Sequence, residues 1–173
     1  MPLRGRRGGD DDNNGRRFQM HEKMLSIGDD YWIEDERGQR AYRVNGKAVR
    51  IRDTWVLEDA AGQEVAEIKE KKLSIRNSIK IDFGGREATV KKAMIGIRDR
   101  FVVEVDGGED IKIMGNFVDH EYEFERDGQK IAEVSKKWFR VRDTYGVEIR
   151  NPLDAPLVLA ATVAVDALAH DIG

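Results

Sequence analysis

A chain of 173 residues is long enough for one domain with a single sizeable core. At 40% hydrophobic and 36% charged residues it fits a globular protein and excludes a largely disordered one. A net charge of −3 argues against a dedicated nucleic-acid binder, and the lack of cysteine removes disulfides, thiolate nucleophiles and cysteine metal sites together.

The first seventeen residues, MPLRGRRGGDDDNNGRR, have no apolar run of the kind a signal peptide carries and read as a disordered arm over 1–17. A basic arm touching nucleic acid or an anionic membrane is the alternative. From residue 18 to 173 the chain reads as one domain built on a repeat. VRIRDTWVLED, from Val49, is echoed ninety residues later by FRVRDTYGVEI, from Phe139, and weaker copies begin at Ile27, Ile75, Ile97 and Val118. The turn positions Asp29, Asp53, Asn77, Asp99, His120 and Asp143 are spaced 24, 24, 22, 21 and 23 residues apart.

Each unit has one grammar. Apolar side chains stand two and four places after the turn position: Tyr31 and Ile33, Trp55 and Leu57, Ile79 and Ile81, Phe101 and Val103, Tyr122 and Phe124, Tyr145 and Val147. Charged residues such as Lys80, Glu104, Glu123 and Glu148 fall at intervening positions, the alternation of a strand with one buried face. In the first five units an acidic, glycine-containing turn follows, and then a second strand such as QEVAEIKEK or QKIAEVSKK. One unit is one β-hairpin. Six units predict about twelve antiparallel strands closed into a barrel, since closure removes exposed edges; the sixth return strand is the least marked.

The final segment breaks the alternation. LVLAATVAVDALAHD, Leu157 to Asp171, is apolar on every helical face apart from Thr162 and Asp166, with Pro156 at its start and Gly173 beyond its end. Its apolar run, Leu157 to Ala169, is shorter than the about 20 residues of a spanning helix. A twelve-stranded barrel is too wide for its wall side chains to fill. A helix at about 155–171 threading the barrel resolves both, its alanines lying close to inward-facing Trp55, Phe101, Tyr122 and Tyr145.

The run DDYWIEDERGQRAYRVNGKAVRIRDTWVLED, the block SKKWFRVRDTYGVEI and the alanine-rich closing helix resemble the LURP-one-related family, from about Phe18 to Asp171. That family is similar in turn to the C-terminal domain of tubby proteins and to phospholipid scramblases. The resemblance implies the twelve-stranded barrel around a central helix that the periodicity also predicts. Functionally it implies less: tubby domains bind phosphoinositides through basic side chains, and scramblases are linked to lipid movement and calcium. The chain lacks an acidic loop with calcium-ligand spacing, and the cysteine-rich segment of animal scramblases is missing.

Among residues that can carry chemistry, the joints between units stand out. Arg50 and Arg52, and Arg140 and Arg142, form R-x-R pairs that an extended chain places on one face, with Arg76 and Arg98 in matching slots. They can grip phosphate or carboxylate at one rim, or form a structural ring with Asp53, Asp99 and Asp143. Lys71–Lys72, Lys91–Lys92 and Lys136–Lys137 read as ends of return strands, either a patch for anionic lipid or solvated ends that block edge pairing.

No P-loop, G-x-S-x-G or H-E-x-x-H is present, so no catalytic residue, cofactor or metal ligand is assigned. His120 reads as a polar turn residue, and Asp166 as a buried carboxylate paired with an inward arginine or lysine, or else as the floor of an internal site. The expectation is a non-enzymatic, monomeric cytoplasmic module. It contacts an anionic ligand or membrane surface through Arg50, Arg52, Arg140, Arg142, Lys136 and Lys137. A protein-interaction scaffold is the alternative, and an enzyme with a barrel-end pocket around His120 or Asp166 a minor one.

Overall fold

The computed structural model describes residues 15–22, 30–45, 54–71, 78–95 and 98–170. Twelve strands form one closed antiparallel barrel. They are β1 Arg16–His21, β2 Tyr31–Asp35, β3 Arg40–Asn45, β4 Thr54–Asp59, β5 Glu64–Lys71, β6 Ser78–Phe83, β7 Arg86–Ile95, β8 Arg98–Val105, β9 Ile111–Asn116, β10 Glu121–Arg126, β11 Gln129–Ser135 and β12 Thr144–Ile149. A 3-10 turn, Pro152–Asp154, leads into the helix α1, Ala155–His170.

The twelfth strand has a different origin from the one the repeat predicts. The six units supply eleven strands, β2 to β12, and the chain then leaves the wall for the helix. The slot of the sixth return strand is taken by β1, which pairs with β12 from Arg16↔Ile149 to His21↔Thr144. Arg16 and Arg17, assigned from sequence to the arm, are therefore wall residues. Closure needs this strand: β1 meets β2 through only two registered pairs, Phe18↔Asp35 and Gln19↔Glu34.

The alternation works as a sorting rule. Of the twelve apolar positions in the repeat, eleven are buried and Tyr31 is half-buried. The outer faces carry cross-strand ion pairs such as Lys80–Glu87 at 2.7 Å, Lys91–Glu104 at 3.0 Å and Arg17–Glu148 at 2.6 Å. Such exposed pairs contribute less than about 1 kcal/mol each, so burial holds the wall together. Lys91 and Lys92 stand in the middle of β7, opposite Val102 and Phe101, and not at a strand end as expected from sequence.

The first two hairpin turns are built alike. Asp35 Oδ1 accepts hydrogen bonds from Arg37 N and Gln39 N, and Asp59 Oδ1 from Ala61 N and Gln63 N, all at 2.9 Å. Gly38 and Gly62 supply the positive φ these turns need, +74° and +82°.

From Leu157 to Asp166 every residue of α1 is buried, and the helix runs nearest to β5, β6, β7 and β12. Its alanines let the wall approach closely, while Val158, Leu159, Val163 and Val165 fill the remaining space. The stretch Pro152–Ala169 is apolar enough by composition to cross a bilayer, but 67% of it is enclosed by the barrel. The start of α1 is pinned by Asn151, whose Oδ1 accepts from Leu153 N, and by a two-pronged contact of Arg126 with Asp154 at 3.1 and 2.9 Å.

Candidate functional site

The two ends of the barrel differ. At one lie the turns within the hairpins; at the other lie the described joints between units, 117–120 and 136–143. The described hairpin turns carry acidic residues, including Asp106, Glu109 and Asp110 in a single turn. Open surface clefts of 420 and 490 Å³ lie at this end, the second lined by Glu109, Asp110, Glu125 and Asp127 with one lysine, Lys112. The first sets Arg16, Arg17 and Arg37 against Asp35 and Glu36, with Arg17 already engaged by Glu148, whereas the second is net acidic.

The joint end carries those predicted site residues that the structure describes. Among the described ones, Lys136, Lys137, Arg140 and Arg142 share the segment 136–143 between β11 and β12. Arg50, Arg52, Arg76, Asp53 and Lys72 lie outside the described residues, as do the side chains of Lys71, Arg98 and Asp99. Lys136 Nζ sits 2.5 Å from Glu22 Oε1, and that hydrogen bond raises the lysine pKa and, against partial burial, lowers that of the carboxyl. Lys137 Nζ meets Glu133 Oε1 at 2.8 Å. The two arginines are less engaged. Arg140 is exposed, and the Arg142 side chain, 96% exposed, has Asp143 Oδ2 no nearer than 4.0 Å.

This segment is held in place by its aromatic residues, which the sequence reading passed over. Gly146 on β12 points outward, and Trp138 and Phe139 lie across it. A Cβ there would fall 2.8 Å from Trp138 Cε3 and 2.9 Å from Phe139 Cε2. The Trp138 ring also has the Arg17 guanidinium and the Lys137 ammonium each 5.0 Å from its centroid. A glycine in an otherwise regular strand, seven and eight residues after two aromatics, was the available signal.

Beneath the rim is a buried polar group. Asp166 on α1 is 3% exposed; Tyr145 donates to its Oδ2 at 2.6 Å, and His120 Nε2 stands 3.5 Å from its Oδ1. The expected arginine or lysine partner is replaced by these two. His120 occupies the repeat's turn slot with φ +52°, as Asp143 does with φ +59°, but its ring turns inward, 4% exposed, and stacks on Tyr145 at 4.3 Å. It is not a solvated turn side chain. Neither ring nitrogen of His120 makes a hydrogen bond, and the Tyr122 hydroxyl lies beside Thr162 short of bonding geometry. Burial, together with the Asp166 carboxylate, drives the phenol pKa values of Tyr122 and Tyr145 far upward. Burial does the same at Tyr31, whose hydroxyl contacts the His21 amide. These phenols therefore stay neutral, and the group ties the far half of α1 to β12 and to the 117–120 turn. No cluster of three or more metal-ligating side chains occurs among the described residues.

A closed antiparallel barrel threaded by an apolar C-terminal helix defines the tubby-like class of fold. Within that class, a sequence profile described as LURP-one-related matches residues 16–166, and the chain belongs to that family. Its fold is also similar to the crystal structure of a protein from Arabidopsis thaliana. The TM-score is 0.67 at 16% identity, over 90% of this chain and 91% of that one. A comparison with curated proteins found no match.

Proposed function

We propose that this protein is a non-enzymatic module that attaches peripherally to anionic membrane surfaces through the joint end of its barrel. The observation that carries this reading is the state of Arg140 and Arg142. Both project from a segment braced on Gly146, and among the described residues no carboxylate lies within 4 Å of the Arg142 guanidinium other than Asp143 at that limit. Arginines serving only to close the barrel belong in tight pairs, as Arg17 and Arg43 are with Glu148 and Glu58. The acidic turns at the opposite end add orientation, because an anionic surface repels them and attracts the basic joints.

The test is flotation with phosphatidylserine-containing and purely phosphatidylcholine vesicles at low and high salt. Wild type is expected to bind the anionic vesicles in a salt-sensitive way. Arg140→Ala/Arg142→Ala, at about 1 kcal/mol per basic side chain, is expected to bind about 30-fold more weakly while remaining folded. Arg50→Ala/Arg52→Ala probes the matching phrase in the second unit. Absence of wild-type binding to anionic vesicles at low salt overturns the reading.

A further inference from the structure

Among the described residues, three large hydrophobic side chains are exposed: Val118 at 79%, Val141 at 58% and Leu153 at 88%. Leu153 lies at the hairpin end. Val118 and Val141 lie at the joint end, and they occupy the same slot of the repeat, two residues before the left-handed residues His120 and Asp143. Only β10 and β11 separate their turns, so the two tips are about 10 Å apart around the rim. In the other four units the same slot of the sequence holds Ile27, Ile51, Ile75 and Ile97, residues outside those described. An aliphatic residue recurs there six times.

Single exposed valines need no explanation. Two in one repeat slot, on neighbouring turns that are each rigidly braced, do. Phe117 beside Val118 packs on Phe101 and Tyr122 at 4.7 and 5.2 Å, and buried His120 anchors the other side of the turn. The carbonyl of Val141 accepts from Thr144 Oγ1 at 2.7 Å, and Trp138 and Phe139 hold the segment on Gly146. Of the nearby described carboxylates, Asp119 bonds Asn116, Glu121 the Lys136 amide and Glu22 the Lys136 ammonium, while Asp143 stands 4.0 Å from Arg142. Val141 stands directly between Arg140 and Arg142.

We infer that Val118 and Val141 are apolar tips that insert into the interfacial layer of an anionic bilayer while the flanking arginines engage its headgroups. This rests on the attachment proposed above and adds to it a depth and an orientation. Preorganised turns spare the ordering cost that a floppy loop bears on insertion.

Because the chain has no cysteine, single substitutions Val118→Cys, Val141→Cys and Leu153→Cys each accept one environment-sensitive fluorophore. With phosphatidylserine vesicles, labels at 118 and 141 are expected to shift to the blue and resist an aqueous quencher, while the label at 153 stays as in water. Val118→Ser/Val141→Ser is expected to bind about tenfold more weakly per valine, with the salt dependence retained. Unshifted labels at 118 and 141 on vesicles that bind the protein overturn insertion and leave purely electrostatic attachment. A blue shift at 153 overturns the orientation. If wild type does not float with these vesicles, attachment and insertion fail together, and a protein partner for the two tips becomes the surviving reading.

Discussion

Raising the pH above about 10 should unfold this barrel through its tyrosines. All four, Tyr31, Tyr42, Tyr122 and Tyr145, have phenol pKa values raised by burial, and the rise is largest at Tyr31, Tyr122 and Tyr145. A raised folded-state value means that the native chain holds protons the unfolded chain releases. The stabilisation is therefore complete below the unfolded value near 10 and is lost as pH rises toward the folded values. Each such tyrosine contributes about 1.4 kcal/mol per pH unit in that window, and three together about 4 kcal/mol per unit. Against a typical total stability of about 5–15 kcal/mol, unfolding falls between about pH 11 and pH 14. Tyrosinate absorbance and far-ultraviolet circular dichroism, followed on one sample, should change together in a single cooperative step. Tyr145→Phe should reduce the slope by about 1.4 kcal/mol per unit while also removing its hydrogen bond to Asp166. Reversible ionisation of several tyrosines near pH 10, with the circular dichroism unchanged, refutes the burial argument.

Asp166→Ala should cost about 2–3 kcal/mol in urea denaturation, because it strands the Tyr145 hydroxyl in the core; a loss below about 0.5 kcal/mol counts against the buried group as the anchor of α1. Gly146→Val should displace Trp138 and Phe139 and cost about 1–3 kcal/mol, with a red shift in tryptophan emission; unchanged emission and stability refute the bracing role of the glycine. A chain ending at Asp154 loses the buried side chains of Leu157, Val158, Leu159, Val163, Val165 and Leu168, worth about 9–18 kcal/mol at about 1.5–3 kcal/mol each. It should show no cooperative thermal transition, and one at the wild-type temperature excludes the helix as the filler of the barrel.

The period-two pattern and the turn residues were enough to determine eleven strands, their antiparallel order and the inward face, because each is a local property of a hairpin. The helix was legible for a related reason: an apolar run with no polar face has few places to go, and the hollow of a wide barrel is one of them. Tertiary structure alone decided the twelfth strand. β1 meets its neighbour in sequence, β2, through only two registered pairs, and its longer pairing with β12 joins residues more than one hundred positions apart, which no local pattern encodes. The same holds at the joint end. The sequence by itself showed basic phrases and a lone histidine. Only packing turned His120 inward onto Tyr145, made Tyr145 the hydrogen-bond donor to Asp166, and laid Trp138 and Phe139 across Gly146. That packing leaves Arg140, Val141 and Arg142 facing solvent, since closing the barrel brings together side chains whose relation exists only in three dimensions.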